Sequence, residues 1–165
     1  MDSTERLIEL LNSRNEVPLL LTRSAVEFVD VTPVTSGPYN TVATMQPIPG
    51  SSWTDSVVVH WNRVDLAKIL DGSGLLSDND LTPQEVVDKI NANWVTWLTL
   101  DDLESFSPPD TSDMEIHDLM LKARADSLGW FGTVTMAVSR PGMSALDQLF
   151  SVTMPATLAP PASNI

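Results

Sequence analysis

A chain of 165 residues, 42% hydrophobic and 19% charged, can bury one core by itself and lies outside the disordered regime. It has no cysteine, which excludes disulfides, zinc–thiolate sites and thiol catalysis, and its net charge of −13 repels phosphate backbones, so no direct nucleic-acid partner is expected. No apolar run approaches the roughly 18–20 residues that cross a bilayer, and Met1 to Glu5 carries acid where a secretory signal carries base, so the expectation is no membrane and synthesis in the cytosol.

The first element is a helix over about Thr4 to Ser13, capped by Asp2 or Ser3 with Glu5 in its first turn. Leu7, Leu11 and Leu10 form its buried stripe, with Arg6, Glu9 and Asn12 facing out; the stripe meets either its own core or another chain. Extended structure follows over Leu19–Thr22 and Ala25–Val31, then a Pro, Gly and Ser rich connection over 32–40, then a short extended stretch over Thr41–Gln46. Ser56 to Asn62 is the clearest strand. Val57, Val59 and Trp61 alternate with Val58, His60 and Asn62, which suits a central strand covered on both sides.

Arg63 to Leu70 reads as a short helix stopped by the glycines of Asp71 to Gly74. Thr82-Pro83-Gln84-Glu85 is a capping box with proline at the first helical position, opening a helix to about Asn93 whose Val86, Ile90 and Trp94 share a face that should pack on a sheet. Val95 to Leu98 is expected to be extended, and Thr99 to Asp102 to start one further helical turn. Between Met114 and Ala125 helical and strand periods compete. A strand in the second part, paired as a hairpin with Thr133–Ser139 across the turn residues 126–132, accounts for both halves. Residues 155–161 have no helical or strand period and favour an extended polyproline-like arm.

These elements predict an α+β fold: a mainly antiparallel β-sandwich or open sheet with one packed helix at about 82–93 and an N-terminal helix at one edge. The chain divides into an N-terminal helical arm (1–14), a β-rich core domain (15–140) and a Pro-rich C-terminal arm (141–165).

The inventory for chemistry is thin. Only His60 and His117 are available to a Ser-His-Asp arrangement; His60 reads as packed or interfacial, and His117, near Asp113, lacks a second histidine at metal spacing. Asp78-Asn79-Asp80 begins like a calcium loop, but the required glycine is missing and Glu85 falls too early. Gly72-Ser73-Gly74 lacks the third glycine and the lysine of a phosphate loop. Trp53, Trp97 and Trp130 beside loop acids allow a sugar-binding surface, although tryptophan more often ends in a core or subunit interface. No catalytic residue, cofactor or metal ligand is assigned, and the expectation is a protein without enzymatic activity.

Asn40-Thr41-Val42, Gly50 to Leu66 with its Asn62-Arg63-Val64-Asp65, Thr82 to Asn91, Leu98-Thr99-Leu100-Asp101-Asp102, and Leu121-Lys122-Ala123 with Ser127-Leu128-Gly129-Trp130-Phe131-Gly132 follow one another in an order that resembles an uncharacterised domain of virion structural proteins from large tailed, myovirus-like bacteriophages. The similarity covers most of residues 5–139. It implies a structural subunit of the virion (tail, baseplate, fibre attachment or capsid decoration), assembled in the host cytoplasm, whose partners are other virion proteins or copies of itself. It implies no catalytic residue. On this reading the terminal arms dock on neighbours through Leu7, Leu11, Leu149, Phe150, Leu158, Pro160 and Pro161. A carbohydrate-binding module built on exposed tryptophan and loop acids is the alternative.

Overall fold

The computed structural model describes residues 2–14, 20–113 and 115–141. Helix α1 (Ser3–Arg14) is capped by Asp2, whose carboxylate accepts from the Glu5 amide at 2.9 Å while the Asp2 amide donates to the Glu5 side chain at 3.1 Å. That closes the capping box the sequence places there. A 12-residue helix is marginal in water on its own. Its order comes from docking, and Leu7 and Ile8 are buried within the chain, each worth about 1.5–3 kcal/mol on area grounds.

The docking surface is a three-stranded antiparallel sheet of β1 (Val26–Pro33), β2 (Thr41–Pro47) and β3 (Val57–Trp61), in the order β1-β2-β3. Val26, Phe28, Ala43, Met45, Val59 and Trp61 line its inner face against Leu7, Ile8, Leu11, Leu21 and Leu128. The first helical stripe thus meets the chain's own core. Two expected exposures are exchanged in it: Leu10 is 44% exposed, whereas Asn12 turns inward and clamps the Leu21 backbone, donating to its carbonyl at 2.9 Å and accepting from its amide at 2.8 Å. That pair of bonds satisfies Leu21 where no strand does, since residues 20–22 are not extended in a ladder; Leu19 lies outside the described residues.

The strand expected to be central is an edge. Among the described residues β3 pairs only with β2, and on its outer face Val58 and His60 are exposed. Among the described residues, apolar side chains on the two faces meet a core on one side and no covering layer on the other.

The chain then makes a two-residue strand β4 (Val64–Asp65) and a five-residue helix α2 (Leu66–Leu70), a shorter helix than Arg63–Leu70 because the Asp65 side chain caps it by accepting from the Ala67 amide at 3.1 Å. β5 (Gly74–Leu76) precedes α3 (Pro83–Trp94), where the Thr82–Glu85 capping box is complete. Val95 then adopts a left-handed conformation (φ 53°) and is 88% exposed, so the extended stretch expected there is absent. The Asn91 side chain takes over the main-chain pairing instead, donating to the Leu98 carbonyl and accepting from the Leu98 amide, both at 2.8 Å.

After the single turn Leu100–Asp102 come β6 (His117–Lys122), β7 (Trp130–Phe131) and β8 (Thr133–Ser139). β6 and β8 form the expected hairpin, Lys122 opposite Thr133 and His117 opposite Val138, and β5 joins β8 in parallel on its other side. Alternation puts Leu119, Leu121, Val134, Met136 and Val138 on the face covered by Leu66, Leu70, Val86, Val87 and Ile90 of α2 and α3. The fold is α+β with mostly antiparallel pairing, as the sequence predicts, but divided into two three-stranded sheets stitched by the parallel pair β4–β7.

Candidate functional site

The stitch between the sheets is where two of the quoted segments, Asn62–Asp65 and Ser127–Gly132, meet. Trp130 opposite Val64 and Phe131 opposite Asp65 bring Asn62 to Asp65 against Ser127 to Gly132, and the Val64 amide donates to the Gly129 carbonyl at 2.8 Å. Each residue has a local task. Asn62 accepts from the Asn40 amide at 2.9 Å and donates to the Pro38 carbonyl at 3.2 Å. Trp61 donates its indole N–H to the Leu128 carbonyl at 2.7 Å, and Trp130 fills the second core at 1% exposure.

Arg63 is buried, and its neighbours explain why a guanidinium is used. Its Nε donates to the Thr41 hydroxyl at 2.9 Å, its Nη1 donates to the Ala125 and Ser127 carbonyls at 3.0 Å each, and the group lies 5.8 Å from the Phe131 ring centre. A planar fork reaches three acceptors on two segments at once, which a lysine does not. Burial pushes its pKa down from the ordinary arginine value. Of the two local roles open to Arg63 and Asp65, pairing with each other or capping the following turn, Asp65 takes the second and caps α2.

The second polar centre is Asp102, 3% exposed. One carboxylate oxygen accepts from the Ser3 hydroxyl at 2.6 Å and the Ser127 hydroxyl at 2.7 Å; the other accepts from the Thr99 hydroxyl at 2.7 Å and the Thr99 amide at 3.1 Å. Ser127 in turn accepts from the Trp130 amide at 3.1 Å. One carboxylate therefore ties the start of α1, the turn after α3 and the 127–132 segment. All its lone-pair sites are occupied. Missing from the sequence reading was Ser3, whose partner lies 99 positions away; a serine at a helix start reads as a cap, and Asp2 holds that role.

Two glycines fit the same junction. A Cβ on Gly129 would stand 2.4 Å from the Ser3 hydroxyl oxygen, and Gly132, at φ +88°, would place one 2.6 Å from an Asp65 carboxylate oxygen. A cleft of about 520 Å³ borders Asp102 and Ser3, but its cations are engaged: Arg23 pairs with Asp2, and Arg124 holds Asp126 through two bonds of 2.9 Å.

The remaining candidates are scattered. His60 is exposed on β3, its ring 6.1 Å from that of Tyr39. His117 meets the Asp113 carboxylate at 2.8 Å; this hydrogen bond raises the imidazole pKa, and Asp113 is lowered, first by the Glu115 amide and then by His117. Asp80 accepts from the Thr111 amide and hydroxyl and from Arg140, which lower its pKa, so this aspartate fastens the end of β8. Among the described residues no group of three or more His, Asp or Glu side chains is placed to hold a metal. Trp61 and Trp130 are buried, and Trp53, Trp94 and Trp97 are half-buried against the cores. Leu7 is 4% exposed and Leu11 packs beside it; Leu149, Phe150, Leu158, Pro160 and Pro161 lie outside the described residues. No described helix is long and apolar enough to cross a membrane.

Fold and junction define an α+β domain whose polar motif residues bind one another. The chain belongs to a family of unknown function, DUF7941, whose model matches residues 1–163. No curated protein and no solved structure matches it.

Proposed function

We propose that this chain is a non-enzymatic structural subunit of a tailed-bacteriophage virion, assembled in the host cytoplasm and joined to other virion proteins or to copies of itself. The observation that carries the structural part of the reading is the fate of the polar motifs. Asn62, Arg63, Asp65, Asp102 and Ser127 all spend their hydrogen bonds inside the chain, holding the two sheets and α1 together, and none converges on an open pocket with a histidine. Beside its many exposed acids the domain offers one apolar patch on β3, where Val57, Val58 and the nearby Tyr39 are 50%, 60% and 46% exposed. The virion part rests on the ordered resemblance of the segments that build this junction.

Purified particles of a phage that encodes the chain test it. Quantitative mass spectrometry should find the protein at a fixed copy number per particle, retained through gradient purification. Abundance in the infected cell with none in the particle would overturn the reading.

A further inference from the structure

The sequence holds nine bases, and among the described residues Arg63 is the one that is buried, at 7% exposure. The bases beside it have carboxylates: Lys122 meets Glu104 at 2.7 Å and Arg124 holds Asp126 at 2.9 Å. Among the described residues Arg63 forms no such pair, and its acceptors, the Thr41 hydroxyl and the Ala125 and Ser127 carbonyls, are neutral. The buried Asp102 is not its partner either, because both of that carboxylate's oxygens are taken by Ser3, Ser127 and Thr99. Buried charges are ordinarily paired, since desolvation penalises a lone ion heavily. Burial lowers the Arg63 pKa, and no neighbouring acid works against it.

The guanidinium also has donors to spare. Its Nε and Nη1 hydrogens make the bonds to Thr41, Ala125 and Ser127, which leaves the hydrogens of Nη2. Nη2 has no partner among the described residues, yet it is not sealed in: the described buried side-chain nitrogens and oxygens that lack a partner are the indole nitrogens of Trp97 and Trp130. Arg63 lines a recess of about 250 Å³ shared with Lys122, Arg124, Glu104, Phe131 and Ala123. Nη2 is the guanidinium nitrogen left to donate into it.

We propose that this recess binds a small organic monocarboxylate, whose carboxylate accepts from Arg63 Nη2 and Lys122 and whose apolar body lies on Phe131 and Ala123. Charge selects the class. Lys122 and Arg124 each have an acid already, so one positive charge is unbalanced and one negative charge balances it. A phosphate brings up to about two charges, calls for donors on several sides and meets Glu104 at the rim. A polyphosphate or nucleic acid is repelled by the net charge of −13. Size selects the rest: the recess is smaller than the roughly 300–1,000 Å³ of sites for drug-sized ligands. The inference goes beyond the virion reading and does not rest on it.

The full-length chain tests it by proton–nitrogen NMR at neutral pH, with sodium propionate titrated against sodium chloride and sodium phosphate at equal ionic strength. Expected is a saturable shift of the Arg63 Nε–H signal together with the Lys122, Gly132 and Thr133 amides, with Kd for propionate at about the millimolar level, as suits a ligand of few atoms. Lys122→Gln should weaken binding and Glu104→Gln, which frees Lys122 and removes a repelling charge, should tighten it, each by about two- to fivefold, the size of an exposed charge contact. Both side chains are exposed, circular dichroism checks that the variants fold, and the parent titration decides the proposal without them. No saturable shift at Arg63, an equal response to chloride, tighter binding of phosphate than of propionate, or affinity indifferent to both substitutions overturns the proposal. None of these results alters the particle mass spectrometry that tests the virion reading.

Discussion

Replacing Asp102 by asparagine is the sharpest perturbation of the junction. The volume is kept, but one acceptor oxygen becomes an N–H donor facing either the Thr99 hydroxyl and amide or the Ser3 and Ser127 hydroxyls, which now donate to it. Hydrogen bonds to a charged group contribute about 1.5–3 kcal/mol each, and leaving a buried donor unpaired costs about 1–3 kcal/mol. The hydroxyls can rotate to accept, which recovers part of the loss; the Thr99 amide cannot. A net destabilisation of about 3–5 kcal/mol is expected, a large share of the 5–15 kcal/mol typical of a folded domain. In urea the unfolding midpoint should fall with an unchanged slope, and the melting temperature should drop by roughly 6–20 °C at this chain length. Ser3→Ala should lose less alone and add little to Asp102→Asn, since both remove the same contact. An Asp102→Asn chain within about 1 kcal/mol of the parent, or strict additivity with Ser3→Ala, would refute the node.

Gly129→Ala drives a methyl into Ser3, which its 2.6 Å bond to Asp102 prevents from swinging away; a loss of about 1–3 kcal/mol should appear in denaturant melts, relieved in part when Ser3 is glycine. Arg63→Lys should cost about 2–4 kcal/mol in the same assay, because three acceptors on two segments lose the fork that joins them. Thr82→Ala removes the cap of α3 at about 1 kcal/mol. Its partner Glu85 has a lowered pKa, chiefly from the Thr82 amide, so the stabilisation is present above the ordinary carboxylate range and is lost as pH falls through the depressed folded value. His117 runs the other way: raised by Asp113, it contributes below the ordinary imidazole pKa of about 6.5 and loses that contribution as pH rises through the raised folded value. Proton NMR should show His117 titrating above the ordinary range, and Asp113→Asn should bring it down; no movement would remove the pair.

Much of the fold was legible because its signals are local. Thr82 to Glu85 announces α3, Asp2 and Glu5 announce α1, and alternation in Val134, Met136 and Val138 announces β8, since each rests on periods and caps spanning a few residues. The errors share one cause. Ser56–Asn62 carries apolar residues on both faces whether a second layer or a bare surface lies outside, so pattern alone does not separate a central strand from an edge. Val95 to Leu98 has strand composition, but the side chain of Asn91, several residues earlier, captures its backbone.

By itself, then, the sequence determined composition class, the helices with strong caps, the hairpin and the short list of groups for histidine or thiol chemistry, two histidines and no cysteine. Only the tertiary structure decided what the motif residues do. Ser3 with Asp102, Arg63 with Ser127 and Trp61 with Leu128 are contacts between positions 99, 64 and 67 residues apart. Such pairs leave no period in the sequence, because a buried polar group is specified by which partners the packed chain brings within hydrogen-bond reach.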